Sequence, residues 1–111
     1  MTPKEFKKLL DRDQVCQHCG VNDDTLIPQH RINRGMGGSK LLDRPSNLVL
    51  LCSKFNTLIE SNAGQAEFAR KMGLKLSKWE STTEVPIFFG GQWYLLDDKW
   101  GRYLLPHYDP H

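Results

Sequence analysis

An α+β fold in a single domain of 111 residues is predicted by three observations. Apolar residues at helical spacing follow a capping signature at the N-terminus and recur between residues 53 and 72. Two short aliphatic runs, at 26–30 and 48–51, flank a glycine-rich loop. From Val85 onward the pattern changes to short strands separated by turn residues. A chain of this length buries only a modest share of its surface, so its core benefits from a staple.

Thr2-Pro3-Lys4-Glu5 starts the first helix: Thr2 is the N-cap, Pro3 fits the first helical position and Glu5 completes a capping box. Phe6, Leu9 and Leu10 share one face to about Arg12, and Lys4, Lys7 and Lys8 make a solvated one. Cys16-Gln17-His18-Cys19-Gly20 is a knuckle in which two thiols can meet one metal ion while the glycine permits the turn. Leu26-Ile27-Pro28 leads a strand into Gln29-His30, and residues 32–46 form a loop punctuated by Gly35, Gly37, Gly38 and Pro45. Leu48 to Leu51 reads as a buried strand.

A helix is predicted from Ser53 with Phe55, Leu58 and Ile59 inward, and another from Ala63 to Met72 that stops at Gly73. Strands at Pro86–Phe89, Gln92–Leu96 and Arg102–Leu105 form a C-terminal antiparallel β-hairpin extension over residues 81–111, appended to a core at 1–80. Trp79, Trp93 and Trp100 are assigned to packing.

Lys and Arg number 15 against 13 Asp and Glu, with an uneven distribution. Residues 1–80 carry 13 basic and 9 acidic side chains, whereas 81–111 carry 2 and 4. The basic portion coincides with the His30 loop and permits a nucleic-acid partner, although such a balance is ordinary for soluble proteins. No apolar run approaches the roughly 18–20 residues of a membrane span, and the first residues are charged rather than apolar. The expectation is a soluble cytoplasmic protein without a membrane partner. Three cysteines, two of them spaced C-x-x-C, fit a reducing compartment and a metal site better than a disulfide framework.

The run Gln29-His30-Arg31-Ile32-Asn33-Arg34-Gly35-Met36-Gly37-Gly38 resembles the H-H-R-x-x-R-G-M-G-G signature of phage and actinobacterial members of the HNH (ββα-metal) nuclease family. Further matches lie at Pro45 to Cys52, Ile59 to Ser61 and Val85 to Asp98. The resemblance implies a ββα-metal core with an N-terminal helix and a zinc-knuckle-like C-x-x-C. It also implies a metal-dependent endonuclease acting on DNA, phage-encoded and working in a bacterial cytoplasm.

By that resemblance His30 is the general base, Asn47 braces the loop and orients the histidine, and Asn56 with Gln29 holds Mg²⁺ or Mn²⁺. Cys16, Cys19 and Cys52 are the implied zinc ligands, and Arg31, Arg34, Lys40 and Arg44 the implied phosphate contacts. Two positions depart from the family. Gln29 replaces a histidine or aspartate ligand, and Phe55 stands where a fourth zinc thiolate would be. His18, His107 or water would complete the zinc shell; alternatively Phe55 fills the space as core and the thiols stay reduced. The alternative function is a degenerate HNH module that binds nucleic acid or a protein partner without cleavage. Read without the resemblance, His30 is a hydrogen-bonded structural residue, Asn47 a turn residue before a strand, and Asn56 a helix-start residue bonded to backbone.

Overall fold

The computed structural model describes residues 1–33 and 40–109, with Lys40 and Leu41 described by their backbone only. Helix α1 (Pro3–Asp13) starts with the reciprocal bonds of a capping box: Glu5 N–H donates to Thr2 Oγ1 at 3.1 Å and Thr2 N–H to Glu5 Oε1 at 3.0 Å. Its buried Leu9 packs on strand β2 (Leu48–Cys52), every residue of which is buried. Five consecutive apolar side chains suit a strand covered on both faces. The partner is β1 (Leu26–His30), antiparallel in the register Leu26↔Cys52 through His30↔Leu48.

Helix α2 (Ser53–Ser61) follows β2 directly, packs on both strands and buries Phe55 and Ile59, one turn apart. Leu58, expected inward, is 37 % exposed because it lies off this narrow stripe. Helix α3 (Ala63–Lys71) likewise buries Ala69 and leaves Phe68 exposed. Its exit is Gly73, at φ +75°, where a Cβ would come within 2.0 Å of the Pro86 carbonyl oxygen. Glycine is required there twice over, by backbone conformation and by close approach.

The C-terminal portion is a three-stranded antiparallel meander rather than a hairpin: β3 (Ile87–Phe89), β4 (Gln92–Leu96) and β5 (Arg102–Leu105). Ile87 and Leu96 join the main core, and Trp100 and Tyr94 pack against it. Trp79 does not: it is 84 % exposed, with Lys78 Nζ over its ring. The protein is thus an α+β fold with three α-helices and two small antiparallel sheets among its described residues. None of the described helices is long and apolar enough to cross a membrane.

Two buried arginine networks join these parts. Arg31, fully buried, donates through Nε to Gly73 O (2.8 Å), through Nη1 to Ser46 O and Thr82 O (2.9 Å each) and through Nη2 to Val85 O (2.6 Å). Beneath α1, the buried Asp13 carboxylate accepts from Arg12, Arg102 and the Leu50 N–H, tying α1 to β2 and β5. Burial lowers the pKa of Arg31 to about 10, which leaves it cationic at neutral pH and dependent on those carbonyl dipoles.

Replacing Arg31 by Leu is expected to destabilise the fold by at least about 3 kcal/mol, because several buried carbonyls lose their donors together. Arg31→Lys should recover only part of this loss, since an ammonium cannot reproduce the planar fork. Urea melts of both variants provide the check; a change under about 1 kcal/mol for Arg31→Leu would contradict the clasp.

Candidate functional site

His30 ends β1, and its Nε2 lies 2.7 Å from Asp43 Oδ1, both side chains being about one-quarter exposed at 26 %. Asp43 closes a short 3-10 turn (Lys40–Asp43), and it is the only carboxylate between His30 and Asn47 in the sequence. That solitary position is the one sequence signal that points to Asp43 as a partner for His30. A second 3-10 turn (Pro45–Asn47) then leads into β2.

Asn47 is fully buried and saturates its amide on the two ends of the loop. Its Oδ1 accepts from Ile32 N–H at 2.8 Å, and its Nδ2 donates to Ile32 O at 3.2 Å and to Leu42 O at 2.8 Å. Its own carbonyl accepts from Arg31 N–H at 2.8 Å. Asn47 therefore fixes the backbone just after His30 and just before Asp43, so the two partners in the 2.7 Å contact are held by a third residue. A turn residue with a single local bond would not do this.

Asn56 lies in the first turns of α2, and its Oδ1 is buried with no hydrogen-bond partner among the described residues. An unpaired buried amide oxygen costs roughly 1–3 kcal/mol, so the position is set for a group outside the described chain or is maintained at a loss. The backbone-bonded role considered from sequence does not apply to that oxygen. Gln29 donates weakly from Nε2 to His30 O, at 3.3 Å. Both are neutral amides, and the described His, Cys, Asp and Glu side chains gather no metal-holding group around them.

Such a group exists at the opposite end of the sheet. The sulfurs of Cys16, Cys19 and Cys52 all lie within 4.8 Å of one another, and Cys19 Sγ is 3.8 Å from Cys52 Sγ. The knuckle turns at Gly20 (φ +77°), whose N–H donates to Cys16 O at 2.9 Å, and it docks on β2 through Gln17 N–H to Leu50 O at 2.8 Å. His18 N–H approaches Cys16 Sγ at 3.4 Å and Phe55 N–H approaches Cys52 Sγ at 3.5 Å. Burial opposes ionisation of Cys16, but backbone N–H groups at Cys19, Cys52 and His18 outweigh it and bring its pKa down. Burial, reinforced by Cys16 nearby, pushes the Cys52 thiol up. Three free thiols so placed could hold a metal ion, which fits the donor chemistry of a thiophilic cation such as zinc.

The basic residues divide differently from the sequence expectation. Arg31 faces inward and its guanidinium is committed to four carbonyls, so it is a structural clasp and not a phosphate contact. Arg44 is exposed but bonded to Asp98 through Nε (2.8 Å) and Nη2. Arg34 and the Lys40 side chain lie outside the described residues, as do Gly35, Met36, Gly37 and Gly38. No protein-family model, curated protein or solved structure matches this chain.

Asp98 also accepts from Ser46 N–H at 3.0 Å, so it anchors the loop to the β4–β5 turn. Burial opposes its ionisation, but the Arg44 and Ser46 bonds prevail and lower its pKa from 3.8 to about 2. A depressed folded-state pKa contributes stability that is fully present above the unfolded value and is lost as pH falls through the folded one. Between about pH 4 and pH 2, wild type should therefore lose more stability than Asp98→Asn. Parallel acid titrations of the melting temperature test this, and identical slopes would rule out the anchoring role.

Proposed function

We propose that this chain is an HNH-type endonuclease that hydrolyses DNA phosphodiester bonds with His30 as its general base. The observation that carries the reading is the His30–Asp43 pair, clamped by Asn47, in a strand–loop–strand–helix unit whose helix bears the unpartnered Asn56 oxygen. With Nε2–H donated to Asp43, Nδ1 becomes the ring nitrogen that accepts a proton from the attacking water. Asp43 would keep the imidazole in that tautomer and stabilise the imidazolium once the proton is taken.

A divalent ion, Mg²⁺ or Mn²⁺, would be held by Asn56 Oδ1 with help from Gln29 and the substrate phosphate, and supplies charge stabilisation to the leaving oxygen when bound. Cys16, Cys19 and Cys52 would hold zinc as the staple that a core of this size calls for. Contacts to DNA would fall to Arg34 and Lys40, because Arg31 and Arg44 are already engaged.

The second reading is a module that binds nucleic acid or a protein partner without cutting. What favours it is the pair of neutral amides at the catalytic ligand positions, since Mg²⁺ prefers carboxylate and phosphate oxygens and sheds water reluctantly.

A plasmid-nicking assay titrated with Mg²⁺ and Mn²⁺ separates them. Wild type should cleave, His30→Ala should lose on the order of 10²–10⁴-fold in rate, and Asp43→Asn should lower kcat more than it raises KM. Cleavage unchanged in His30→Ala would overturn the nuclease reading. Salt-sensitive DNA binding by wild type with no cleavage at any metal concentration would establish the binding module instead.

A further inference from the structure

Closed structural zinc sites have four protein ligands, whereas sites with three keep a position for an outside donor. The thiol cluster has three, and among the described residues no fourth His, Cys, Asp or Glu places a ligand atom with them. His18, the nearest candidate in sequence, borders the same cavity but is engaged in a ring stack. Its ring lies flat on Phe55, with centroids 3.5 Å apart and an interplanar angle of 3°, and Phe68 meets it edge-on at 5.8 Å. Phe55 is itself 2 % exposed and anchored in the core, so the stack has a fixed base.

Two of the three sulfur-bearing residues face open space. Cys19 and Cys52, with His18, Lys54, Phe55 and Leu58, line a cavity of about 330 Å³. That is room for a small molecule beside the thiols. The walls are mostly apolar, which favours a soft donor over a strongly hydrated one, and Lys54 is the basic residue among those that line it.

We propose that Cys16, Cys19 and Cys52 form an open three-thiolate metal site whose fourth position takes an exchangeable external donor, a thiolate or an imidazole, through the cavity between His18 and Lys54. The inference rests on the three thiols holding a metal and is independent of cleavage. On binding, each thiol gives its proton to solvent and its sulfur to the metal. Three thiolates on a divalent cation leave a net negative centre, so Lys54 offsets the charge of an anionic fourth donor. The His18–Phe55 stack is one wall of the channel and contributes no ligand.

The test uses the reduced 111-residue chain with Co²⁺ as a spectroscopic probe. One Co²⁺ per chain is expected, with a thiolate-to-cobalt charge-transfer intensity about three-quarters of that in Phe55→Cys, where a fourth thiol is restored. Adding imidazole, or separately 2-mercaptoethanol, should shift the visible bands of wild type and leave those of Phe55→Cys in place. His18→Phe, which keeps an aromatic ring on Phe55 but removes the nitrogens, should retain the wild-type spectrum and its response. Absence of Co²⁺ binding would defeat the metal reading itself. Stoichiometric binding that ignores both donors, or a spectrum altered by His18→Phe, would defeat the open position. Should Phe55→Cys fail to fold, the donor titrations of wild type and His18→Phe decide the matter alone.

Discussion

Arg31 is the residue on which the arrangement of this protein depends. A guanidinium cannot leave water without a donor-by-donor replacement of what it gives up, and here the replacement comes from the carbonyls of Ser46, Gly73, Thr82 and Val85. Those four carbonyls belong to the approach to β2, the exit of α3 and the segment leading into β3. The backbone of the same residue is also used, its N–H on Asn47 O and its carbonyl accepting from Leu76 N–H, at 2.8 Å each. One side chain thus converts segments that lack regular structure into fixed geometry, immediately beside His30. Gly73 can take part only because it lacks a side chain, which lets the chain pass under Pro86.

Asp13 does the complementary work at strand β2. Its carboxylate is buried with Arg12, Arg102 and a β2 N–H, and Gln17 links the cysteine knuckle to this network by accepting from Arg102 at 2.6 Å and donating to the Asp13 backbone carbonyl at 3.0 Å. The N-terminal helix, the knuckle and the last strand therefore share one polar core. In such networks the loss of one member leaves the others buried and unpaired, so the parts are held cooperatively rather than by separate contacts.

Two asparagines show how identical chemistry takes opposite states. Asn47 has both amide atoms satisfied on backbone and acts as a brace. Asn56 has an orphaned buried oxygen, the only such side-chain atom among the described residues. A satisfied amide is silent towards a cation, whereas an orphaned oxygen is available to one. The same distinction separates the arginines: Arg31 is spent within the fold, and Arg44 shares its charge with Asp98.

The elements were legible in the sequence because their causes are local. The Thr2–Glu5 capping box, the Cys16–Gly20 knuckle, the unbroken aliphatic run of β2 and the Gly73 stop each act within a few residues, and each stands where local chemistry puts it. What the tertiary structure alone decided was the destination of polar side chains. The family resemblance implies a phosphate contact at Arg31, yet its acceptors lie 15 to 54 residues away. The Arg44–Asp98 and His30–Asp43 pairs were equally hidden, being separated by 54 and 13 residues. Periodicity also could not tell that the inner stripe of α2 stops short of Leu58, or that Trp79 is left in solvent. Backbone preference is a property of neighbours in the chain, whereas satisfaction of a buried donor depends on which acceptors folding brings to it.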